Sequence, residues 1–246
     1  MDQPSVTPSP LVRKLRHGAA LSEEDEQRLA AFATPVQQVA ARQDIAAEGH
    51  RPHSLPLILD GWACRYHDLP DGRRQIIGLF LPGDLCEPFG ALPRLMDHSI
   101  GTLTAVSYVR VRASALRDLA RSSSAVEQAL WWDALISADM MHERAVSLGQ
   151  RSAFERLAHL VCELHLRLTL VGLADEIGFD FPLTQQDLGH MLGLSSVHVN
   201  RSLQALRGTG FVSVRGRRLT IIDLAGLRDV ALFEPGFLHL RGTASD

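Results

Sequence analysis

Residues 181–223 read FPLTQQDLGHMLGLSSVHVNRSLQALRGTGFVSVRGRRLTIID. Thr184-Gln185-Gln186-Asp187 has the form of a capping box with a short acid: a hydroxyl at the N-cap and a carboxylate three residues on satisfy each other's free backbone N–H groups. The helix it opens is expected to run through Leu192. Gly193-Leu194-Ser195 then makes a three-residue turn, in which Gly193 accepts the left-handed conformation that ends one helix and Ser195 caps the next. The second helix should extend from Ser196 to about Arg207. Leu188, Met191, Leu192, Leu194, Val199, Leu203 and Leu206 would close the small core between the two. This is the layout of a helix-turn-helix, whose second helix lies in the major groove of DNA.

The residues after the second helix extend the pattern. Gly208-Thr209-Gly210 ends that helix, and Phe211–Val214 and Leu219–Ile222 read as two strands joined by Arg215-Gly216-Arg217-Arg218. That is a β-hairpin wing with three arginines at its tip, suited to phosphate contacts that position without reading sequence. Between Ser196 and Thr220 there are five arginines (Arg201, Arg207, Arg215, Arg217, Arg218) and no acid, although the whole chain carries a formal charge of −3. A local basic footprint matters more to DNA than the overall sign. The exposed face of the second helix is expected to present Ser196, Val197, His198, Asn200, Arg201 and Gln204. Arg can donate two hydrogen bonds to guanine, and Asn can pair in the same bidentate way with adenine. Val197 offers only apolar contact, Ser196 suits a phosphate or a helix cap, and His198 and Asn200 read equally well as surface residues. Arg207 suits a phosphate contact or plain solvent.

N-terminal to this stretch, Ser152-Ala153-Phe154-Glu155 caps a helix in which Phe154, Leu157, Ala158, Val161, Leu164 and Leu168 recur at helical spacing, predicting one apolar face. Before it, Ser124-Ala125-Val126-Glu127 reads as another capping box, opening a helix of some 25 residues to about Gly149. Its apolar residues Val126, Leu130, Trp131, Leu135, Ile136, Met140, Met141 and Leu148 do not share one stripe, so it should be covered on more than one side. A second subunit would supply one cover; a central core helix of a monomer is the alternative. From Val36 to about Ala113, turn signals recur roughly every ten residues, as in an all-β roll. Asp71-Gly72 reads as a type I′ hairpin joining Trp62–His67 to Gln75–Leu81. Ser22-Glu23-Glu24-Asp25 caps a short helix that Thr34-Pro35 should stop.

The resulting expectation is an α+β chain: a tail over 1–20, a β-roll over 21–120, a dimerisation helix over 121–149 and a winged helix-turn-helix over 150–246. Apolar residues make up 46% and charged residues 22% of the 246, the balance of a globular protein. No apolar run approaches 18 residues, and the first ten hold neither a basic nor an apolar signal region, so the chain reads as cytoplasmic, with no membrane span. Cys64, Cys86 and Cys162 are scattered and odd in number, which suggests neither disulfides nor a thiolate cage and leaves them reduced and partly buried.

The Thr184–Thr220 pattern, preceded by a β-roll and a long helix, resembles the family of the cyclic-AMP receptor protein and the fumarate-nitrate reduction regulator. The resemblance runs from about Val36 to Ile222, with Gly61, Asp71-Gly72 and Pro82-Gly83-Asp84 at the turns of that family's cyclic-nucleotide-type β-roll. It implies a homodimer paired through the central helix, double-stranded DNA as ligand, and RNA polymerase as partner. The family's base readers are typically Arg or Val, Glu, Ser or Gly, and Arg. The matching positions here are Ser196, Val197, Asn200 and Arg201, of which only Arg201 keeps the family's residue.

The resemblance also frames the effector question. Members that bind cyclic AMP follow the Gly-Asp turn with Gly-Glu-Leu and later an Arg-Ser pair. Here the run is Gly83-Asp84-Leu85-Cys86-Glu87-Pro88-Phe89-Gly90 and then Asp97-His98-Ser99. Pro88 stands at the ribose-binding Glu position and His98 at the phosphate-binding Arg position, with Ser99 kept. A mostly neutral imidazole is a poor substitute for a guanidinium fork. An iron–sulfur cluster needs four thiolates and the chain has three cysteines. Cys86, Glu87, His98 and Ser99 therefore mark the candidate effector pocket, with no cofactor expected and an unknown small molecule left open. A haem or small-ligand sensor acting through protein contacts is one alternative. A cupin-like metal enzyme is another, but the nearest thing to its His-x-His pair, His50-Arg51-Pro52-His53, has the wrong spacing, and no catalytic constellation is present. The chain is not read as an enzyme.

Overall fold

The computed structural model describes residues 9–52, 54–87, 95–175 and 177–240. Among the described residues, seven strands form the roll as two antiparallel sheets. β1 (Gln37–Val39), β7 (Val106–Arg112) and β3 (Ser54–Asp60) lie in the order β1-β7-β3. Opposite them, β2 (Asp44–Ala46), β6 (Ser99–Thr102), β4 (Ala63–Asp68) and β5 (Arg74–Phe80) lie in the order β2-β6-β4-β5. Residues of both sheets meet inside: Ile58, Val106 and Tyr108 from one, Ile45, Ala63, Phe80 and Ile100 from the other. Alternation along the strands sends the remaining apolar residues outward, so each outer face needs its own cover.

The β4–β5 hairpin is not the expected two-residue turn. Leu69 N donates to Arg73 O and Gly72 N to Leu69 O, both at 2.8 Å, so Pro70-Asp71-Gly72 form a three-residue loop. Only Gly72 has positive φ, +85°. Pro70 explains the choice: its fixed φ sets the first position of an ordinary turn, leaving one left-handed residue to close the hairpin.

The N-terminal expectation is corrected more sharply. Residues from 10 onward are not a tail: α1 (Pro10–Leu15) buries Leu11, Val12, Lys14 and Leu15. Together with α2 (Glu23–Ala30), capped by the expected Ser22–Asp25 box, it covers the outer face of β3 and β7, where Leu11, Leu15, Leu29, Leu55, Leu57, Val109 and Val111 share one core. Residues 1–8 of the expected tail lie outside the described residues. A short α3 (Ala113–Ser122) comes after the roll. The central helix α4 (Ser124–Gln150) is capped by Ser123, whose hydroxyl accepts from Val126 N, rather than by the expected box at Ser124. Its 27 residues span about 40 Å. Val126, Ala129, Trp132 and Ile136 are buried against the roll and its helices, while Trp131 (67% exposed), Leu135, Met141 and Val146 are left on the opposite side.

Helix α5 (Ala153–Leu170) opens with the expected Ser152–Glu155 capping box. Its periodicity predicts one buried face, but it is enclosed nearly all round, with His159, Glu163, His165 and Arg167 almost as buried as Leu157 or Leu164. Its polar face meets α4 and the chain's C-terminal end, where Phe233 and Phe237 pack on the His159 ring at 5.0 and 6.0 Å between centroids and His239 O accepts from Trp132 Nε1 at 2.9 Å. The three cysteines are fully buried rather than partly so. Burial pushes the Cys64 and Cys162 thiols up to about 12 and Cys86 well above its usual value, so all three stay protonated and unreactive at neutral pH.

Candidate DNA-binding surface and effector pocket

The C-terminal unit is built on α6 (Gln185–Leu192) and α7 (Ser196–Gly208). Thr184 and Asp187 form the reciprocal capping box: the Asp187 carboxylate accepts from Thr184 N at 2.9 Å and the Thr184 hydroxyl from Asp187 N at 3.2 Å. Gly193, at φ +65° and ψ +38°, ends α6 in the left-handed region, and the Ser195 hydroxyl caps α7. Leu188, Met191, Leu192, Val199 and Leu206 are buried between the helices, with Leu194 and Leu203 partly buried around them. The wing is a small sheet in the order β8-β10-β9, from β8 (Gly178–Asp180), β9 (Val212–Arg215) and β10 (Arg218–Ile221). Arg215 and Arg218 are paired strand residues, so the turn itself is Gly216-Arg217.

On α7, Ser196, Val197, His198, Asn200, Arg201 and Gln204 are all exposed, and Val199, Ser202 and Leu206 point inward. Positions 197, 200, 201 and 204 are spaced i, i+3, i+4, i+7 and so share one helix face. His198 is less available than its neighbours, because its Nδ1 lies 2.9 Å from the Ser195 cap hydroxyl. Arg201, Arg215 and Arg217 are exposed and form no ion pair with any acid among the described residues. Arg218 differs: it is ion-paired to Asp175, on the segment before β8, so the wing carries two uncompensated arginines rather than three. A residue that sequence reasoning missed, Arg42, braces the unit from the roll. It donates to both Asp187 oxygens, at 2.5 and 2.9 Å, across 145 positions of sequence, a separation that leaves no local pattern to find.

The effector candidates come together inside the roll. His98 Nε2 lies 2.7 Å from Glu87 Oε1, and His98 Nδ1 lies 2.8 Å from Asp97 Oδ1. Arg65, also missed, donates from Nη2 to Glu87 Oε1 at 3.2 Å and to the Cys86 carbonyl at 2.9 Å. Glu87 and Cys86 are almost completely buried and His98 is 5% exposed. Ser99 turns away from this set, its hydroxyl accepting from Glu48 N at 3.0 Å. Pro88, at the expected ribose position, lies outside the described residues, as does His53. Among the described residues no group of His, Cys, Asp and Glu is arranged to hold a metal.

Comparison with known proteins agrees with this architecture. Residues 36–123 match the cyclic nucleotide-binding domain and residues 155–230 the Crp-like helix-turn-helix domain. The chain is 26% identical to the transcriptional activator protein FnrL of Cereibacter sphaeroides, over 88% of this chain and 89% of that one. It is 27% identical to the nitrogen fixation regulation protein FixK of Azorhizobium caulinodans, over 90% and 89%. Among solved structures, FixK2 from Bradyrhizobium japonicum superposes with a TM-score of 0.70 at 25% identity, covering 80% of this chain and 96% of that one. No helix among the described residues is long and apolar enough to cross a membrane. With a cyclic-nucleotide-type roll and a Crp-like helix-turn-helix matched in that order along one chain, the protein belongs to the Crp/Fnr family of transcription regulators.

Proposed function

We propose that the protein binds a palindromic DNA operator as a homodimer, reading bases with Val197, Asn200, Arg201 and Gln204 and gripping phosphates with Arg215 and Arg217. The observation that carries this reading is the exposed face of α7 beside a wing whose Arg215 and Arg217, like Arg201, meet no acid among the described residues. Ser196 at the first turn of α7 suits a phosphate, His198 is held at the cap, and Arg218 contributes less because Asp175 already neutralises it. The exposed Trp131–Leu135–Met141–Val146 side of α4 supports pairing of two copies through that helix, since apolar surface of this extent is stabilised by cover. In this division residues 21–120 act as the sensor-like part, 121–149 as the dimerisation helix and 150–246 as the DNA-binding part. RNA polymerase as partner and a place in the cytoplasm follow from the family's work, and the protein acts by binding rather than by catalysis.

Cyclic AMP is not its effector in this reading. A cyclic phosphate needs an uncommitted cation, and the arginine beside His98 and Cys86, Arg65, is already engaged by the buried Glu87 carboxylate, which would repel a second anion. Nor is an iron–sulfur cluster, since the thiols are protonated and scattered. Cys86 and His98, the pair a haem would need, are both enclosed. The test is selection of the purified protein against a random DNA library. Enriched palindromes with half-sites about one helical turn apart are expected without added cyclic nucleotide. Failure to enrich any sequence would sink the operator reading, and enrichment only on addition of cyclic AMP would overturn the account of the roll.

A further inference from the structure

Six charged side chains lie buried in one continuous chain that joins four separate pieces of the fold. It starts at Asp133 on α4, which is ion-paired to Lys14 on α1. Lys14 Nζ also reaches Asp84 Oδ1 at 2.6 Å, in the turn after β5. Asp84 Oδ2 accepts from Arg167 Nη2 on α5 at 2.8 Å, and Arg167 Nη1 donates to Glu163 Oε1, one helical turn back, at 3.0 Å. Glu163 Oε2 closes the path with Arg144 Nη2 at 3.3 Å, back on α4. None of the six side chains is more than 11% exposed. Three cations alternate with three anions, so the cluster is neutral as a whole and loses that balance when any one member is removed.

The path leaves α4 at Asp133, crosses α1, the turn and α5, and returns to α4 eleven residues later, about 16 Å along the helix. It therefore triangulates α5 against the long helix at two separated points. A third fixed point is added by Arg167, whose Nη2 also donates to the Leu79 carbonyl of β5 at 2.9 Å. Helix α5 in turn carries the recognition helix: Leu157, Val161 and Leu164 share a core with Val199 and Leu206 of α7. Any change in the angle of α5 to α4 moves α7 with it. Apolar packing of the same volume would hold α5 at least as firmly against unfolding. What directional ion pairs add is a single preferred geometry, because each guanidinium and ammonium satisfies its acids from one position. The roll also holds the helix-turn-helix directly: Arg42 pairs with Asp187, Gln75 Nε2 donates to Met191 O at 3.2 Å, and Tyr66, Ile76 and Leu79 share a core with Leu188 and Val199, contacts that keep the unit docked when the buried ion chain is broken.

We propose that Lys14, on the helix nearest the N-terminus, is a positioning residue for DNA binding: by bridging Asp84 and Asp133 it sets the angle at which α5 presents the recognition helix. This rests on the dimeric operator reading above. Removing the ammonium leaves Asp84 and Asp133 to repel each other in a site closed to water, and Asp84 then swings toward Arg167 alone. The anchor at Asp133 is lost while those at Leu79 and Arg144 remain, so α5 keeps its fold and loses its fixed angle.

The test compares wild type, Lys14→Arg, Lys14→Met and Lys14→Met/Asp133→Asn. The double variant restores a neutral cluster and so separates misfolding from mispositioning. Spin labels placed at Arg73→Cys, on the β4–β5 hairpin, and Gln204→Cys, on α7, report the angle directly when labelled protein is diluted with unlabelled. Operators with the natural half-site spacing and with one base pair inserted report it through function. The double variant is expected to melt within a few degrees of wild type but to show a broadened label distance and about ten-fold weaker operator binding. Its preference for natural over lengthened spacing should be largely erased, and Lys14→Arg should recover much of it. A label distance and a spacing preference identical to wild type in the folded double variant overturn the proposal. If the label distance broadens while wild type itself prefers no spacing, the operator reading fails and the role of Lys14 in setting the angle stands.

Discussion

Where α4 meets α5, Arg144 and Arg167 each lie against Glu163, with Asp84 and Lys14 completing the set. On the recognition helix and wing, Arg201, Arg215 and Arg217 stand in solvent and meet no acid among the described residues. The two regions use the same residue type to opposite ends. Inside, a guanidinium is a strap whose charge is cancelled within 3.3 Å, and its value lies in direction. Outside, the charge is left uncancelled and is available to phosphate. The net charge of −3 conceals this division, because acids are concentrated where cations serve as straps and are absent where they serve as probes. Arg218 sits on the boundary, in the wing by position but tied to Asp175.

The largest effect expected from breaking the inner region is that of Arg167→Met. It leaves Asp84 and Glu163 without their shared cation, and removal of one partner from a buried pair costs about 3–5 kcal/mol. Urea denaturation should show it as a lowered midpoint, and a midpoint within experimental error of wild type would mean that the buried chain is not bracing the fold.

A pH titration also probes the inner region. Burial holds His159 down to about 4 from an ordinary value of 6.5, with Phe233 and Phe237 on its ring. Between those two values the unfolded chain takes up a proton that the folded chain refuses, so stability falls as pH drops from 6.5 toward 4. The full difference is on the order of 3 kcal/mol at about 1.36 kcal/mol per pH unit. Asp84 and Glu163, held below their usual range by the cations beside them once desolvation is outweighed, add a further loss only below about pH 4. In His159→Phe the slope across that window should flatten; a slope unchanged by the substitution assigns the pH dependence elsewhere.

The outer region responds in DNA binding rather than in stability. Arg201→Ala should cost about 1–3 kcal/mol of discrimination at one base pair of each half-site and leave the melting temperature alone. Binding to a panel of single-base operator variants measures this, and equal loss on every variant would demote Arg201 to a phosphate contact. The smallest effect separates the wing's arginines. Arg217→Ala should reduce the slope of log affinity against log salt by about 0.9, and Arg218→Ala by less, because Asp175 already cancels it. Equal reductions would show that the Arg218–Asp175 pair opens on DNA.

Much of this architecture is legible in local chemistry. The capping boxes at Ser22, Ser152 and Thr184, the left-handed Gly193 and the Ser195 cap are patterns of neighbours, set by backbone groups within four residues. Where local patterns mislead, a distant or unweighed partner intervenes. Residues 10–20 look like a tail because Pro10-Leu11-Val12-Arg13-Lys14-Leu15 is too short to be stable as an isolated helix. It forms because β3 and β7 offer an apolar face and Asp84 and Asp133 offer Lys14 two carboxylates. At the hairpin, Asp71-Gly72 suggests a two-residue turn only when the proline before it is left out of account. On α5, the apolar stripe is visible in the sequence, but not that its polar side is enclosed as well.

Periodicity and capping over a few residues are enough to specify the strand-rich roll, the long helix, the helix-turn-helix with its wing, and the face of α7 that carries Val197, Asn200, Arg201 and Gln204. Which charges are neutralised depends on how the elements pack. That packing joined Arg42 to Asp187, Arg65 and His98 to Glu87, Arg218 to Asp175, and Lys14 through Arg167 to Arg144. Coulomb attraction between side chains depends on distance in space and on local burial, and for most of these pairs neither can be read from distance along the chain.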